Sequence, residues 1–442
     1  MGSHPDWNEI SAWINRSERI FIKKLSRNDT SWADSARNGH QNGFYIPRRI
    51  AESDFFPGVK NSNPEKPHIL DVEYSTFWPA TGEIRASTIK YFSRRNPGDE
   101  EKSKPRHEWQ HTGMSKSQFQ NISPASLLLV GKLAQMVSGV KYWFIVVDSV
   151  SDESEIIETM FGLGADFHCD LFDPASFVSS ESESHQLITE LVQAIKDGTL
   201  ERFITMQVIP SPQVLACRAQ SKWIEENGVN AINPFSVAKP GDAVMRISRD
   251  IEYALYKQAE LRFRAAQVAR LLLQEGADPV TNLVRNFPEL DSIFLSAAQT
   301  RKSRAGLSFE HHVERLFKDG RIRYEAQVVL GGRRPDFVLP DVKELNEKGD
   351  AIIVSLKTTL RERWKQLALE KPFGAIFLAT VDDRVSGEAI AEMGRNEINL
   401  VVPESLKKAK EAEYYGYDNV ITFRHFFDYE VKTKRPSFVL PL

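Results

Sequence analysis

The sequence predicts a multidomain α+β and α/β protein, a β-rich unit followed by an α/β unit, on three observations. A chain of 442 residues exceeds what one core organises, and implies two or three domains. Its first third is strand-rich, with β-branched and aromatic residues gathered between Gly, Asn, Pro and Ser breaks. After Ser308, helix and strand patterns alternate, as in a layered α/β domain.

In the first third, strands are expected at Arg19–Leu25, Gly43–Pro47, His68–Tyr74, Glu83–Phe92 and Lys141–Asp148, giving a small barrel or sandwich. A helix near Glu153–Phe161 follows, and then a polar run, Ser176–Ser184, that reads as a hinge. Ser184 can cap a helix in which Leu187, Leu191 and Ile195 recur every four residues and Gly198 terminates the turn. Asn227–Asp242 reads as a second irregular stretch, and the helix Arg249–Glu275 as the opening of the last domain. Beyond it the expected order is helix 308–318, strands 324–330, 335–339 and 350–357, helix 361–371, strand 374–381, helix 386–396 and strand 398–402. The domains are therefore placed at 5–175, 176–225 (a linker region with a helix) and 226–442.

Composition narrows the function classes. With 57 Lys+Arg against 60 Asp+Glu and 41% hydrophobic residues, the chain reads as ordinary globular protein. The longest apolar stretch, Ala125–Val137, contains Lys132, so a membrane span is not expected and a cytoplasmic location is. Cys169 and Cys217 lack paired spacing, which excludes a thiolate zinc site. No phosphate-binding glycine loop is present, which disfavours a nucleotide-driven motor. Two local basic runs, Arg85–Arg106 and Arg301–Arg334, suit nucleic acid or simply a solvated face.

The chemistry concentrates between Pro335 and Glu370. Asp336 opens one short apolar strand, and Lys357 closes another after Ala351–Leu356. An acid and a lysine on neighbouring strands suit phosphodiester hydrolysis, which needs a hard cation on oxygen ligands and positive charge near the phosphate. Ser355 occupies the place two residues before the lysine where a second acid is usual. Glu370, on the following helix, can return a carboxylate to the site, and Glu310 is a further candidate. Arg361, Glu362 and Arg363 follow the lysine; arginine bridges O6 and N7 of guanine and glutamate accepts from N4 of cytosine, so the triplet suits C·G pairs. An exposed charged turn accounts for the same triplet.

These residues sit within two longer stretches that carry a resemblance. One runs Arg301–Phe317 and on through Pro335–Phe337 to Val354–Trp364; the other comprises Phe21–Thr30 and Gly39–Pro47. Together they resemble the EcoRII-type, type IIE, restriction endonucleases. The resemblance implies an N-terminal B3-like β-pseudobarrel that binds an effector copy of DNA, and a C-terminal PD-(D/E)xK endonuclease domain that dimerises and cuts double-stranded DNA. It places Mg²⁺ on Asp336 and Glu370, catalysis on Asp336, Lys357 and Glu370 with Glu310 in support, and base reading on Arg361, Glu362 and Arg363. The Arg-Glu pair matches relatives that cut around CCGG or CCNGG. Effector contacts are expected from Lys23, Lys24, Arg27, Arg94, Arg95, Lys102, Lys104 and Arg106, with His40 and Tyr45 serving either DNA or packing. The expected function is a site-specific endonuclease, homodimeric and autoinhibited by its effector domain. A methylcytosine-dependent nuclease on the same scaffold and a B3-like regulator with an inert nuclease domain are the alternatives.

Overall fold

The structure is a computed structural model that describes residues 5–34, 43–94, 105–163, 167–174, 181–274, 276–329, 334–348, 350–360 and 374–441. The chain falls into two compact units, Met1–Phe177 with Lys410–Glu413, and Val178–Ala409 with Tyr414–Leu442.

Unit 1 is built on a single eight-stranded sheet. Its strands are β1 (Ser17–Lys24), β2 (Gly43–Ile46), β3 (Ile69–Trp78), β4 (Glu83–Arg94), β5 (Pro105–Thr112), β6 (Leu127–Val137), β7 (Val140–Val147) and β8 (Cys169–Phe172), in the spatial order β2-β5-β4-β3-β7-β6-β1-β8. Every pairing is antiparallel except that of β3 with β7. The central strands are covered on both faces, because successive side chains point to opposite sides. Phe21, Leu128, Val130, Phe144 and Val146 join a core with Phe44, Phe55 and Trp78. Their neighbours Ile20, Ile22, Leu127, Leu129, Ile145 and Val147 join another with Ile10, Ile14 and Ile157. Burial on both faces explains why Leu127–Gly131, within the run Ala125–Val137, shows no alternation, while Ala134–Val137 at the other end of β6 is exposed. Strands β5, β6 and β8 are additions to the expected set. The helix Asp152–Phe161 matches the expected one, and Gly162 ends it at φ +62°, the left-handed region where glycine is least hindered.

Unit 2 carries a six-stranded mixed sheet of β9 (Glu325–Ala326), β10 (Phe337–Leu339), β11 (Ile352–Lys357), β12 (Ala375–Thr380), β13 (Ile398–Val402) and β14 (Val420–Thr422), ordered β14-β13-β12-β11-β10-β9. Strands β11 to β14 run parallel, and β9, β10 and β11 pair antiparallel. With unit 1, this gives the α+β, two-unit architecture the sequence predicts. The parallel strands β11 and β12 are mostly apolar and buried, as strands covered on both faces tend to be, with Ser355, Lys357 and Thr380 as polar exceptions.

The helices differ more from expectation. The stretch 176–225 holds the helices Glu181–Lys196 and Leu200–Met206 and most of Pro212–Asn227, and unit 2 starts at Val178, ahead of residue 226. Leu215, Ala216, Ala219 and Trp223 of the third helix are buried. Ser184 lies inside the first helix rather than at its cap. The expected helix 308–318 is the end of a 33-residue helix, Phe287–Asp319. Arg301 and Arg304 therefore lie within it. Arg301 Nε donates to Glu260 Oε2 at 2.9 Å, and Arg304 donates to the Pro210 carbonyl at 2.9 Å with its guanidinium over the Tyr256 ring. Two basic residues of the run Arg301–Arg334 thus serve internal contacts. Among the described residues no helix is long and apolar enough to cross a membrane.

Candidate active site

Antiparallel pairing of Phe337 with Val354 brings the residue before β10, Asp336, alongside the end of β11. Asp336 is only 8% exposed, and its Oδ2 accepts the Leu356 N–H at 2.6 Å. The Lys357 Nζ stands 3.8 Å from the same oxygen and donates to the Leu356 carbonyl at 2.9 Å. Ser355 and Lys357 share a face of β11 by the two-residue period, with Ser355 buried and the lysine reaching out. A buried acid and a half-exposed ammonium therefore meet at one strand end, the juxtaposition expected from sequence.

Glu310 reaches the same place from the long helix. Burial pushes its carboxyl up and the Asp336 charge pushes it further, against Lys357, a hydrogen bond from Gln327 and Arg334. Burial likewise raises Asp336, opposed by Lys357 and the Leu356 N–H. Two carboxylates beside a lysine, one of them raised by the charge of the other, have the oxygen-donor chemistry of a hard divalent cation. Among the described residues no group of three metal-ligating side chains converges; Asp336 and Glu310 supply two carboxylates. Glu370, Arg361, Glu362 and Arg363 lie outside the described residues. Leu360, the last described residue before them, is buried, and its N–H donates to Asp382 Oδ2 at 2.8 Å.

Sequence reasoning missed Gln327 and gave Arg334 only as the end of a basic run. Gln327 Nε2 donates to Glu310 Oε2 at 2.8 Å, and Arg334 acts on Glu310 through charge. Gln327 left no signal, because only folding sets it beside a residue seventeen positions earlier.

In unit 1 the expected effector residues divide. Lys24 is 3% exposed, Lys23 pairs with Asp29 at 3.2 Å, and Arg27 is exposed. Asp29 is held in turn by the Ser26 N–H and hydroxyl, so Lys23 is part of a closed local network. Tyr45 is half-buried on β2 opposite Gln110. Arg94 and Arg106 fall at the facing ends of β4 and β5. His40, Arg95, Lys102 and Lys104 lie outside the described residues.

Comparison with known proteins agrees with this two-unit layout. Residues 14–165 match the family described as restriction endonuclease EcoRII, N-terminal, and residues 273–427 match EcoRII C terminal. The chain is 26% identical over 400 residues to the type II restriction enzyme EcoRII of Escherichia coli, covering 88% of each. It is 30% identical over 172 residues to the type II restriction enzyme SsoII of Shigella sonnei, covering 36% of this chain and 55% of that one. A solved structure described as metal-depleted Ecl18kI in complex with uncleaved DNA superposes with a TM-score of 0.45 at 22% identity, over 55% of this chain and 87% of that one. With both EcoRII domains present in order, the chain belongs to the EcoRII-like type II restriction endonucleases, a family of site-specific deoxyribonucleases.

Proposed function

We propose that the protein is a Mg²⁺-dependent endonuclease that cuts double-stranded DNA at a CCGG-, CCNGG- or CCWGG-like site, acting in the cytoplasm as a homodimer. The observation that carries this reading is the meeting of Asp336, Lys357 and Glu310 at the ends of β10 and β11. Asp336 and Glu310, with Glu370, would hold the metal, which supplies a Lewis acid and a water acidified enough to attack phosphorus. Lys357 places its ammonium where negative charge grows on the phosphate, and its bond to the Leu356 carbonyl limits its swing. The Leu356 N–H fixes one Asp336 oxygen, which orients the carboxylate before any ligand arrives. Arg361, Glu362 and Arg363 would read C·G pairs in the major groove, beginning one residue after the Leu360 anchor.

Val280, Val284, Phe287 and Phe294 support the homodimer. Each exposes more than half its surface, and their spacing keeps them on one side of the helices Pro279–Arg285 and Phe287–Asp319. Exposed apolar residues gathered in this way mark an association surface. Capture of a second DNA copy by unit 1, through Arg27 and the basic residues of the β4–β5 end, would relieve autoinhibition by linkage between the two sites.

The test is digestion of methylated and unmethylated genomic DNA with Mg²⁺ and with chelator, followed by sequencing of the ends. Metal-dependent ends at one C·G-paired motif in unmethylated DNA support the reading. Cutting confined to methylated DNA would convert it to a modification-dependent nuclease, and no cutting at all would leave a DNA-binding regulator.

A further inference from the structure

Strand β9 has two residues, and the residue after it, Gln327, turns the chain with φ +54°. That region is left-handed, where glycine or asparagine is ordinarily found and glutamine is rare. Gln327 is exposed, so close packing does not impose this conformation. The turn instead gives Gln327 two bonds. Its backbone N–H donates to the Asp336 carbonyl at 3.0 Å, extending the β9–β10 pairing. Its side-chain amide donates to Glu310 Oε2 at 2.8 Å. One residue thus ties the strand that presents Asp336 to the carboxylate offered by a different element, the long helix. Because an ionised carboxylate only accepts, the amide NH₂ must face it, which defines the side chain's orientation.

We propose that Gln327 is a positioning residue: it holds the Glu310 carboxylate towards Asp336, so that the two acids engage one divalent cation together. The inference rests on the reading of this site as a metal-dependent nuclease centre and adds what fixes the second acid. Glu310 and Asp336 repel one another when the site is empty, and without a donor Glu310 would turn away towards solvent. Gln327 supplies that donor from a strained turn, and strained backbone of this kind gathers where geometry must be held ready for a ligand.

Two variants separate side chain from backbone. Gln327→Gly relieves the left-handed turn and removes the amide; Gln327→Met keeps the length and the turn and removes only the donor. Both are made in the full chain and compared with Glu310→Gln, Glu310→Gln/Gln327→Met and Asp336→Asn. Calcium is titrated calorimetrically into each protein bound to a CCNGG duplex, and cleavage of that duplex is followed against Mg²⁺ concentration. We expect Gln327→Gly and Gln327→Met each to weaken calcium binding and raise the half-saturating Mg²⁺ about tenfold, the scale typical of residues that orient metal ligands. The rate at saturating Mg²⁺ should stay within about twofold, and Gln327→Gly should melt no lower than wild type. In the Glu310→Gln background, Gln327→Met should add less than it does alone, since the side chain it positions is no longer a carboxylate ligand. Unchanged metal dependence in both single variants, or full additivity in the double variant, overturns the inference. Wild-type cleavage indifferent to metal and to Asp336→Asn would instead overturn the reading of the site itself.

Discussion

His111 in unit 1 and Asp336 in unit 2 are both titratable groups buried among the strands of a sheet, and their surroundings are opposite. His111 is fully buried, lies against the Phe44 ring and shares a hydrogen bond with the Tyr74 hydroxyl at 2.6 Å. Burial alone lowers its pKa to about 3, and no charge opposes it. Asp336 is buried too, but its rise is opposed by Lys357 and the Leu356 N–H, and its charge in turn acts on Glu310. Desolvation without charged partners yields a silent neutral group that contributes packing and one hydrogen bond. Desolvation beside a lysine and a donating N–H yields a group on which burial and neighbours act in opposite directions, the condition that marks reactive sites.

The largest effect to expect from this contrast is at Asp336 and Lys357. Asp336→Asn keeps an acceptor for the Leu356 N–H yet loses the charge, and Lys357→Ala removes the ammonium while leaving β11 intact. Each should cut the cleavage rate by roughly 10³-fold and leave duplex binding within a few-fold. Single-turnover cleavage with a gel-shift control measures both. Wild-type rates in either variant would make the Asp336 site as silent as His111.

How much of this contrast the sequence could reveal depends on chain distance. The Asp336–Lys357 pair was legible because both members lie at the ends of short apolar strands that pair with each other. Glu310 was legible as an acid in the right neighbourhood, but its closeness to Asp336 required the long helix to pack under β11. That helix begins at Phe287 rather than near 308, and it carries weak helix formers such as Ser303 and Gly306 in its interior. In unit 1, β6 hid as an apolar run because burial on both faces erases the alternation on which strand recognition relies. His111 gave no signal either, since nothing local tells a core histidine from a ligand.

A smaller effect is expected next to the catalytic pair. Under the proposed function Arg361, which follows directly on Leu360, serves base choice rather than bond cleavage. Arg361→Ala should cost roughly 1–3 kcal/mol of discrimination at a guanine, about 10- to 150-fold. Competition between cognate duplexes and duplexes with a single substitution reads this out directly. An unchanged preference would move base reading away from Arg361–Arg363 and sharpen the division between residues that cut and residues that choose.

The smallest effect tests the silent side of the comparison. Because His111 is neutral in the folded state with a pKa of about 3, while an unfolded histidine titrates near 6.5, the unfolded chain takes up the extra proton between those values. Stability contributed by neutral burial is therefore whole above about pH 6.5 and is lost as pH falls towards 3. The expected slope is about 1.4 kcal/mol per pH unit below 6.5, or roughly 1.4 kcal/mol by pH 5.5. His111→Gln keeps a partner for the Tyr74 hydroxyl and cannot gain that proton, so it should flatten this part of the pH profile. It should cost about 1–2 kcal/mol at pH 7.5 through imperfect packing beside Phe44. Denaturant unfolding followed by the fluorescence of Trp78 and its neighbours, at pH 7.5 and 5.5, measures both quantities, and cleavage at pH 7.5 should be unchanged. If His111→Gln instead lowers the cleavage rate while unit 1 remains folded, burial without charged partners is not a mark of silence, and the distinction between the two sites fails.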